Sequence, residues 1–498
     1  MPNASLTINP NFAIGAVDRR LFGSFVEHLG RSVYDGIYEP GHATADEEGF
    51  RGDVLELVRE LGVSTIRYPG GNFVSGFKWE DSVGPDRPTR LDLAWHSTET
   101  NEVGLHEFSS WLRKAGSELM LAVNLGTRGV EEALDLLEYA NVPSGSTLSD
   151  RRRANGLDEP LAVKMWCLGN EMDGPWQLGH RNADDYGKLA SMTANAMRQL
   201  DPSLELVVCG SSNRTMPTFG AWEHTVLQHT YDDIDLISCH AYWAESQSDL
   251  ESFLAAGHDM SLMIEEVVAT ADAVKAALKK TKQINISFDE WNVWDISRFE
   301  NEDKISGVGN WPKAPRLLED SYTVVDAVVV GSLLISLLNH ADRVSSASLA
   351  QLVNVIAPIM TEPGGVAWKQ TTFFPFAVTS RLAGATALTP RIVSDTYESS
   401  VHGTVNVVDA AVTSDDLGTS VFLVNRSVDS ATTVTIDISA LGSVGLVEAV
   451  AIFDDDIHAT NTLADPERVG LRPIEAAIAD GTLTIELPPV SWAALRLA

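Results

Sequence analysis

The sequence predicts an α/β protein, in which a (β/α)8 barrel of the TIM type is followed by a C-terminal antiparallel β-sandwich domain joined by an N-terminal strand. Between residues 20 and 376, eight short runs rich in Val, Ile and Leu alternate with stretches of helical periodicity. These runs are continuously apolar, as expected for parallel strands buried on both faces. After residue 377 the pattern changes to short Thr/Val-rich segments separated by Gly, Ser and Asp, which is typical of a sandwich.

The eight runs are the predicted barrel strands, at 23–29, 63–71, 119–126, 163–171, 204–212, 234–243, 284–292 and 347–355. Helices are predicted near 46–61, 104–115, 129–140, 182–200, 261–280 and 319–340. The clearest helix begins at Asn182, with Asp185 three residues later as a capping pair. A doubly wound sheet is the alternative, but Gly70-Gly71 lacks the third glycine and the downstream acid of a dinucleotide fingerprint.

Three segments follow from this pattern. Residues 1–16 contain a strand, within "ASLTINP", that we expect to pair with the sandwich. Residues 17–376 form the catalytic barrel, and residues 377–498 form the β-sandwich domain. The most apolar stretch, Ala327–Leu338, is too short to cross a bilayer.

Composition narrows the possible partners. The 498 residues include 69 Asp and Glu against 36 Lys and Arg, a formal net charge of −33. Such a surface repels phosphate backbones and anionic lipids, so we expect neither nucleic acid nor membrane as a partner. Three scattered cysteines favour buried free thiols over a disulfide framework. The N-terminus lacks the basic and apolar regions of a signal peptide, which favours a cytoplasmic location.

In a TIM barrel the chemistry lies at the C-terminal ends of the strands. The polar residues there are carboxylates, amides and a few basic or phenolic groups, which suit sugar hydroxyls: Glu27, His28, Arg67, Asn72, Asn124, Asn170, Glu171, His240, Tyr242, Asp289, Glu290, Asn292, Gln351 and Asn354. Five tryptophans in or near the following loops could contact sugar faces: Trp79, Trp176, Trp243, Trp291 and Trp294. The sequence has no H-E-x-x-H motif and no phosphate-binding loop.

Glu171 and Glu290 follow the fourth and seventh strands, roughly opposite each other in a barrel. Two such carboxylates suit glycoside hydrolysis, with retention if they lie about 5 Å apart and inversion at about 6.5–9.5 Å. Adjacent strand residues face opposite sides, so Asn170 and Glu171 can both face the lumen only if the strand ends or bulges there. The same holds for Asp289 and Glu290, and we take Asp289 as structural.

Two basic residues have simpler interpretations at this stage. His240 is interpreted as a hydrogen-bonded packing group rather than a base. Arg67 is either an ordinary ion-pair residue or, beside an inward Glu290, the group that keeps this carboxylate ionised.

These strand ends resemble the family 51 glycoside hydrolases, the intracellular α-L-arabinofuranosidases. The matching stretches spread across the barrel: "FGSFVEHLGRSVYDGIYEPG", "IRYPGGNFVSGFKWEDSVGP", "LAVNLGTRG", "WCLGNEMDGPWQLGH", "SFDEWNVW" and "AQLVNVIAPIMTEPGG". The C-terminal domain matches mainly in general character. The resemblance implies an exo-acting enzyme that releases terminal arabinofuranose from arabino- or arabinoxylo-oligosaccharides by a retaining double displacement.

The resemblance also implies roles for individual residues. Glu171 corresponds to the acid/base and Glu290 to the nucleophile, with Arg67 beside the nucleophile. The residues that match those around the bound furanose are Glu27, Asn72, Asn170, Tyr242 and Gln351. Members of the family need no metal or organic cofactor, so we expect neither here. They commonly assemble as hexamers, so we also expect a homo-oligomer.

The chain departs from the family pattern at Asp35, often glycine, and in the segments 101–108 and 243–259, which bear on the leaving group rather than on the chemistry. Three alternatives remain open. The same machinery could act on β-glucan or β-xylosides, or the barrel could bind sugar without catalysis. A metal-dependent sugar isomerase would need Glu27, His28 and His240 as ligands.

Overall fold

A computed structural model describes residues 3–498, so residues 1 and 2 of the predicted N-terminal segment lie outside the described part. Its centre is a closed barrel of eight parallel strands. In chain order, which is also the order around the barrel, the strands are Gly23–Phe25, Thr65–Tyr68, Glu118–Val123, Met165–Leu168, Glu205–Val208, Leu236–Trp243, Asn285–Val293 and Val344–Ala350. Each overlaps one predicted run, so the predicted barrel is confirmed.

Helices surround the barrel, as the amphipathic stretches predict. Their bounds are Gly52–Leu61, Leu105–Ala115, Val130–Asn141, Thr147–Ala154, Ala183–Leu200, Ala221–Thr230, Leu250–Leu254, Ala256–Leu278, Ile296–Arg298, Val324–Asn339 and Phe373–Leu382. The predicted cap is present, since the Asn182 side chain accepts a hydrogen bond from the Asp185 amide. The helices Thr147–Ala154 and Ala221–Thr230 were not predicted, because the first has almost no apolar stripe and the second is rich in His and β-branched residues.

The most apolar helix joins the two parts of the molecule. Val324–Asn339 is buried on nearly every side, because it packs against the barrel helix Ala256–Leu278 and against five sandwich strands. A helix that is apolar all round is expected in such a position. No helix within residues 3–498 is long and apolar enough to span a membrane. The three cysteines are free and buried, as expected.

Two sheets form the sandwich. The strands of the first are, in spatial order, Arg391–Ser394, Asn3–Thr7, Thr432–Asp437, Thr482–Leu487 and Ala476–Ala479. Those of the second are Ala13–Ala16, Thr386–Leu388, Val408–Asp415, Gly418–Asn425, Ser491–Leu497, Leu446–Ile452 and Arg472–Pro473. Apolar side chains from both sheets, such as Leu6 and Leu423, share one core.

The N-terminal segment contributes to both sheets rather than to one. Asn3–Thr7 pairs in parallel with Thr432–Asp437, which is an exception among the otherwise antiparallel pairings of the sandwich. Ala13–Ala16 pairs with Thr386–Leu388 in the other sheet. The predicted boundary at residues 376 and 377 falls inside the helix Phe373–Leu382, which packs on barrel helices and on a sandwich strand.

Three short hairpins lie outside the barrel and the two sandwich sheets. They are Arg90–Asp92 with Ser97–Glu99, Ile359–Thr361 with Ala367–Lys369, and Thr396–Ser399 with Gly403–Asn406. The first belongs to the long connection between the second barrel strand and the helix Leu105–Ala115. Loops of this length are uncommon unless they serve a function, and this one reaches the C-terminal ends of the barrel strands.

Candidate active site

The fourth barrel strand ends at Leu168, before the two polar residues that follow it. Gly169 and Glu171 have positive φ angles of 93° and 41°, so the chain leaves the pleated conformation there. Asn170 and Glu171 therefore do not alternate, and both side chains enter the polar cluster at the strand ends. The requirement that the strand end before this pair is met.

Glu171 is held by two donors. His240 Nδ1 lies 2.9 Å from its Oε1 atom, and the Trp176 indole Nε1 donates to its Oε2 atom at 2.8 Å. Glu171 is only 9% exposed, whereas Trp176 is 51% exposed. The carboxylate is thus nearly buried, with a half-exposed indole bonded to one of its oxygens.

Glu290 lies on the seventh barrel strand and makes equally defined contacts. Arg67 donates from Nη1 to Oε1 at 2.7 Å, and the Tyr242 hydroxyl donates to Oε2 at 2.8 Å. His240 Nδ1 is 3.6 Å from the same Oε2 atom. One carboxylate oxygen of Glu171 and one of Glu290 lie within 4.8 Å of each other and of a His240 nitrogen. This separation matches the spacing typical of retaining glycosidases.

Asp289 also contributes to this cluster, although it neighbours Glu290. The pairing register with the eighth strand shifts between Phe288 and Trp291, which breaks the strict alternation of side chains. Asp289 Oδ1 lies 2.9 Å from His240 Nε2, so His240 is hydrogen-bonded at both ring nitrogens. The ring is therefore fixed between two carboxylates.

Burial and an excess of carboxylates over basic groups determine the pKa values in the cluster. Burial opposes a charge on His240, but Glu290, Asp289 and Glu171 raise the pKa of this imidazole to about 10. Burial also raises the pKa of Glu290, and His240 and Arg67 oppose that rise. The charged imidazolium form is therefore favoured at neutral pH, with Nδ1 facing Glu171 and Glu290 and Nε2 facing Asp289.

A fourth carboxylate, Glu27, follows the first barrel strand and lies near Glu290. Glu27 Oε1 accepts hydrogen bonds from the Phe73 amide and the Trp95 indole, both at 2.8 Å, and Gln351 Nε2 lies 3.3 Å from its Oε2 atom. Burial is the main cause that raises the pKa of Glu27 to about 8. A Cβ atom on Gly71 would lie 3.1 Å from Glu290 and 3.4 Å from Glu27, so a residue without a side chain lets both carboxylates approach.

Amide side chains also belong to the cluster. Asn170 Oδ1 accepts a hydrogen bond from Arg67 Nη2 at 2.6 Å, and its Nδ2 atom lies 3.5 Å from Asn72 Oδ1. The structure therefore brings together all eight residues that the sequence assigned to the site: Glu27, Arg67, Asn72, Asn170, Glu171, Tyr242, Glu290 and Gln351.

Other strand-end residues serve the loops instead. Asn124 bonds the Phe77 carbonyl, and Asn354 bonds the Arg31 carbonyl and Thr361. Asn292 likewise bonds the carbonyl of Ala350, at the end of the eighth strand, and that of Ile356 in the following loop. The five tryptophans also divide. Trp79 and Trp291 are core residues, Trp243 bonds Asp259, and Trp294 packs on Tyr242.

His28 points away from the cluster, which bears on the isomerase alternative. Its ring nitrogens lie 2.9 Å from Glu99 and 2.8 Å from the Tyr68 hydroxyl. The ligand set Glu27, His28 and His240 is therefore not assembled. Glu171, His240 and Glu290 do lie close enough to surround a cation, but His240 and Glu290 already bond other side chains, His240 to Asp289 and Glu290 to Arg67 and Tyr242.

One contributor, Trp95, was not predicted, and His240 was predicted only as a hydrogen-bonded packing group without its carboxylate partners. Trp95, in the hairpin after the second strand, supplies a donor to Glu27, and His240 bridges Glu171 and Asp289. The length of the loop that carries Trp95 was the available signal. For His240, no sequence feature could show that its neighbours on two other strands would be carboxylates.

This site can perform a two-carboxylate displacement at a sugar carbon. Glu290 is oriented by Arg67 and Tyr242, and Glu171 is close enough to act on the same bond. The surrounding amides and carboxylates are suited to sugar hydroxyls, and the mouth is lined by aromatic residues.

Comparison with known proteins points the same way. The model for the α-L-arabinofuranosidase C-terminal domain matches residues 289–491, and that for the α-L-arabinofuranosidase 1 domain matches residues 57–252. An exo-α-(1→6)-L-arabinofuranosidase of Bifidobacterium longum is 57% identical over 510 residues, covering 100% of this chain and 98% of the relative. An intracellular exo-α-(1→5)-L-arabinofuranosidase of Streptomyces lividans is also 57% identical, covering 100% of this chain and 76% of the relative.

Solved structures agree. A family 51 α-L-arabinofuranosidase from Bifidobacterium longum superposes with a TM-score of 0.96 at 50% identity, covering 100% of both chains. The arabinose complex of an α-L-arabinofuranosidase from Thermotoga maritima has a TM-score of 0.87 at 32% identity, covering 100% of this chain and 99% of the other. Both domains of the fold therefore have counterparts in these proteins.

Proposed function

The chain belongs to the α-L-arabinofuranosidases of glycoside hydrolase family 51, and from this membership we propose that it is an exo-acting, retaining α-L-arabinofuranosidase. It removes terminal non-reducing α-L-arabinofuranosyl residues from arabino-oligosaccharides or arabinoxylo-oligosaccharides. The observation that carries the proposal is the Glu171–Glu290 pair, whose oxygens lie within 4.8 Å of each other.

In the first step Glu290 attacks the anomeric carbon while Glu171 donates a proton to the glycosidic oxygen. The C–O bond to the leaving group breaks as the bond to Glu290 forms, and the leaving sugar departs as an alcohol. Arg67 and Tyr242 hold the two Glu290 oxygens, so the attacking carboxylate is oriented before the substrate arrives.

In the second step ionised Glu171 takes a proton from water, which attacks the glycosyl–Glu290 ester and releases arabinose with retained configuration. The ester removes one negative charge from the cluster, so His240 and Arg67 then face fewer carboxylates. Positive charge that develops on the sugar is stabilised by the remaining carboxylates.

Four further side chains are placed to bind the furanose hydroxyls. Glu27 and Gln351 form one wall, and Asn72 and Asn170 form the base. We assign the 2-hydroxyl to Asn170, because Arg67 fixes its amide beside Glu290. No cofactor is needed for this reaction.

The setting follows from the relatives. Several are named intracellular arabinofuranosidases, and we assign this chain to the cytoplasm. Short imported oligosaccharides are then its substrates, and neither nucleic acid nor membrane is a partner. We expect a homo-oligomer, a hexamer by resemblance to the family.

The decisive test uses Glu171→Ala with two substrates, an aryl arabinofuranoside that carries a good leaving group and an arabino-oligosaccharide. Loss of the acid should reduce turnover of the oligosaccharide by about 10²–10⁴-fold, while cleavage of the activated aryl bond is reduced far less. Added azide should accelerate the aryl reaction and yield an arabinosyl azide of retained configuration.

Equal losses on both substrates, with no effect of azide, would remove the acid/base assignment. If the unmodified protein cleaves aryl cellobioside or xyloside but no arabinofuranoside, the sugar assignment is wrong. Binding of arabinose without turnover of any glycoside would favour the non-catalytic barrel.

A further inference from the structure

Both carboxylate oxygens of Glu171 are occupied by hydrogen-bond donors. Oε2 accepts from the Trp176 indole at 2.8 Å, and Oε1 faces His240 Nδ1 at 2.9 Å. An indole N–H can only donate, and an imidazolium donates from both nitrogens. In this arrangement Oε2 acts as an acceptor and carries no proton, because the indole beside it has no lone pair to accept one.

A general acid needs the opposite arrangement. One oxygen of Glu171 must carry a proton and direct it at the glycosidic oxygen, so one of the two donors has to leave. The two donors differ in mobility. His240 is 2% exposed and is held on its far side by Asp289 at 2.9 Å, whereas Trp176 is 51% exposed. The indole is therefore the donor that can move.

The local backbone shows how the indole is placed. A Cβ atom added to Gly174 would lie only 2.6 Å from a ring carbon of Trp176 and 3.0 Å from Nε1. The indole thus lies flat against a residue without a side chain, which brings its N–H to Glu171. Residue 174 makes no demand for a positive φ angle, so its missing side chain serves this close approach.

We propose that Trp176 is a positioning residue. In the free enzyme its indole N–H occupies the position at Glu171 Oε2 that the glycosidic oxygen takes in the complex. Arrival of the leaving-group sugar displaces the indole N–H, and Oε2 then takes a proton from solvent and directs it at the glycosidic bond. The inference rests on the proposed role of Glu171 as acid/base. Protonation of Glu171 then depends on binding of the leaving-group sugar.

The test is Trp176→Phe, which keeps a ring but removes the N–H, with pH profiles measured on an arabino-oligosaccharide. The other charged or titratable groups that face Glu171 stay in place: Asp173, His240, Tyr242, Asp289 and Glu290. The alkaline limb of kcat/KM, which reports the free enzyme, should move to higher pH by about one to two units, the size of one lost hydrogen bond to a charge.

The alkaline limb of kcat should not move, because it reports the complex, in which the indole has already left Oε2. A merely structural role of Trp176 would lower both parameters without this split. Gly174→Ala should reproduce the shift in kcat/KM, since its methyl group displaces the indole. The double variant should add nothing further.

Trp311→Phe is the matched control. Trp311 lies in a loop at the same end of the barrel, and its indole donates to the Val308 carbonyl at 2.7 Å rather than to a carboxylate. This variant should leave both limbs unchanged.

Equal shifts of both limbs in Trp176→Phe would mean that the indole stays on Glu171 in the complex, and unshifted limbs would mean that it does not control the proton. Either result overturns the inference. If Glu171→Ala behaves as an acid/base variant in the same assays, only the inference fails. If it does not, the proposed function fails first.

Discussion

The two ends of the barrel carry similar residues in different circumstances. At the N-terminal end Arg20 bonds Glu118 at 2.6 Å and Glu205 at 2.5 Å, and Arg198 bonds Asp235. A depression of about 640 Å³ opens there. At the C-terminal end Arg67 bonds Glu290 at 2.7 Å. By composition alone, either end could be taken for a site.

Exposure and charge balance separate the two ends. The carboxylate side chains paired with Arg20 are 36% and 40% exposed, so water shares their charge. At the other end Glu27, Glu171, Asp289 and Glu290 are nearly buried, with Arg67 and His240 as the cations among them. A buried excess of carboxylates costs stability and provides reactivity, which is why perturbed groups cluster at active sites.

The largest difference between the two ends is expected when one carboxylate is removed at each end. Glu290→Ala should lower turnover of an aryl arabinofuranoside by about 10⁵-fold, because the covalent step loses its nucleophile. Azide should restore activity with an arabinosyl azide of inverted configuration. Initial rates and NMR of the product anomer measure both.

Glu118→Ala is the matched control at the N-terminal end. Its rates should stay within about twofold, and the free energy of unfolding should fall by about 1 kcal/mol or less. Near wild-type turnover in Glu290→Ala, or a large rate loss in Glu118→Ala, would contradict the division between the two ends.

A smaller effect is expected when arginine is replaced by lysine at each end. Arg67 donates to Glu290 from Nη1 and to Asn170 from Nη2. The single ammonium group of a lysine cannot reach both acceptors in the same geometry. We expect Arg67→Lys to lower kcat by about 10²-fold. Arg20→Lys should leave kcat unchanged and shift thermal unfolding only slightly. Equal kinetic effects of the two variants would show that the simultaneous bonds from Arg67 to Glu290 and Asn170 do not contribute to turnover.

Much of this site could be predicted, because a barrel brings the ends of its strands together wherever they lie in the sequence. Recognising eight apolar runs was enough to place Glu27, Arg67 and Glu290 at one mouth. Individual residues such as Glu171 then needed only the rule that chemistry lies at the C-terminal ends.

What could not be predicted depends on local irregularity and on long-range pairing. The register shift near Asp289 turns this residue toward His240, and strict alternation would have placed it elsewhere. The parallel pairing of Asn3–Thr7 joins segments more than 400 residues apart, and no local pattern specifies it. The hydrogen bond from Trp95 to Glu27 likewise depends on a hairpin whose position only tertiary packing fixes.

The smallest expected effect tests the stability cost of the buried carboxylates directly. The pKa of Glu27 is raised by burial from 4.5 to about 8. The folded state therefore binds more protons than the unfolded state in this range, and the stability that this group contributes is lost as pH rises from 4.5 to about 8.

Glu27→Gln removes this titration while it keeps an oxygen for the Phe73 amide and the Trp95 indole. The free energy of unfolding of the variant relative to wild type should therefore rise with pH across this window, by at most about 1.4 kcal/mol per pH unit. Urea unfolding at pH 5, 6, 7 and 8 measures it, with Glu205→Gln at the N-terminal end as the baseline for the same substitution in an exposed ion pair. A difference that is independent of pH would show that folding does not raise the pKa of Glu27, and one that falls as pH rises would show that Glu27 is stabilised as an anion. The buried mouth would then not differ from the exposed end in the way that its chemistry requires.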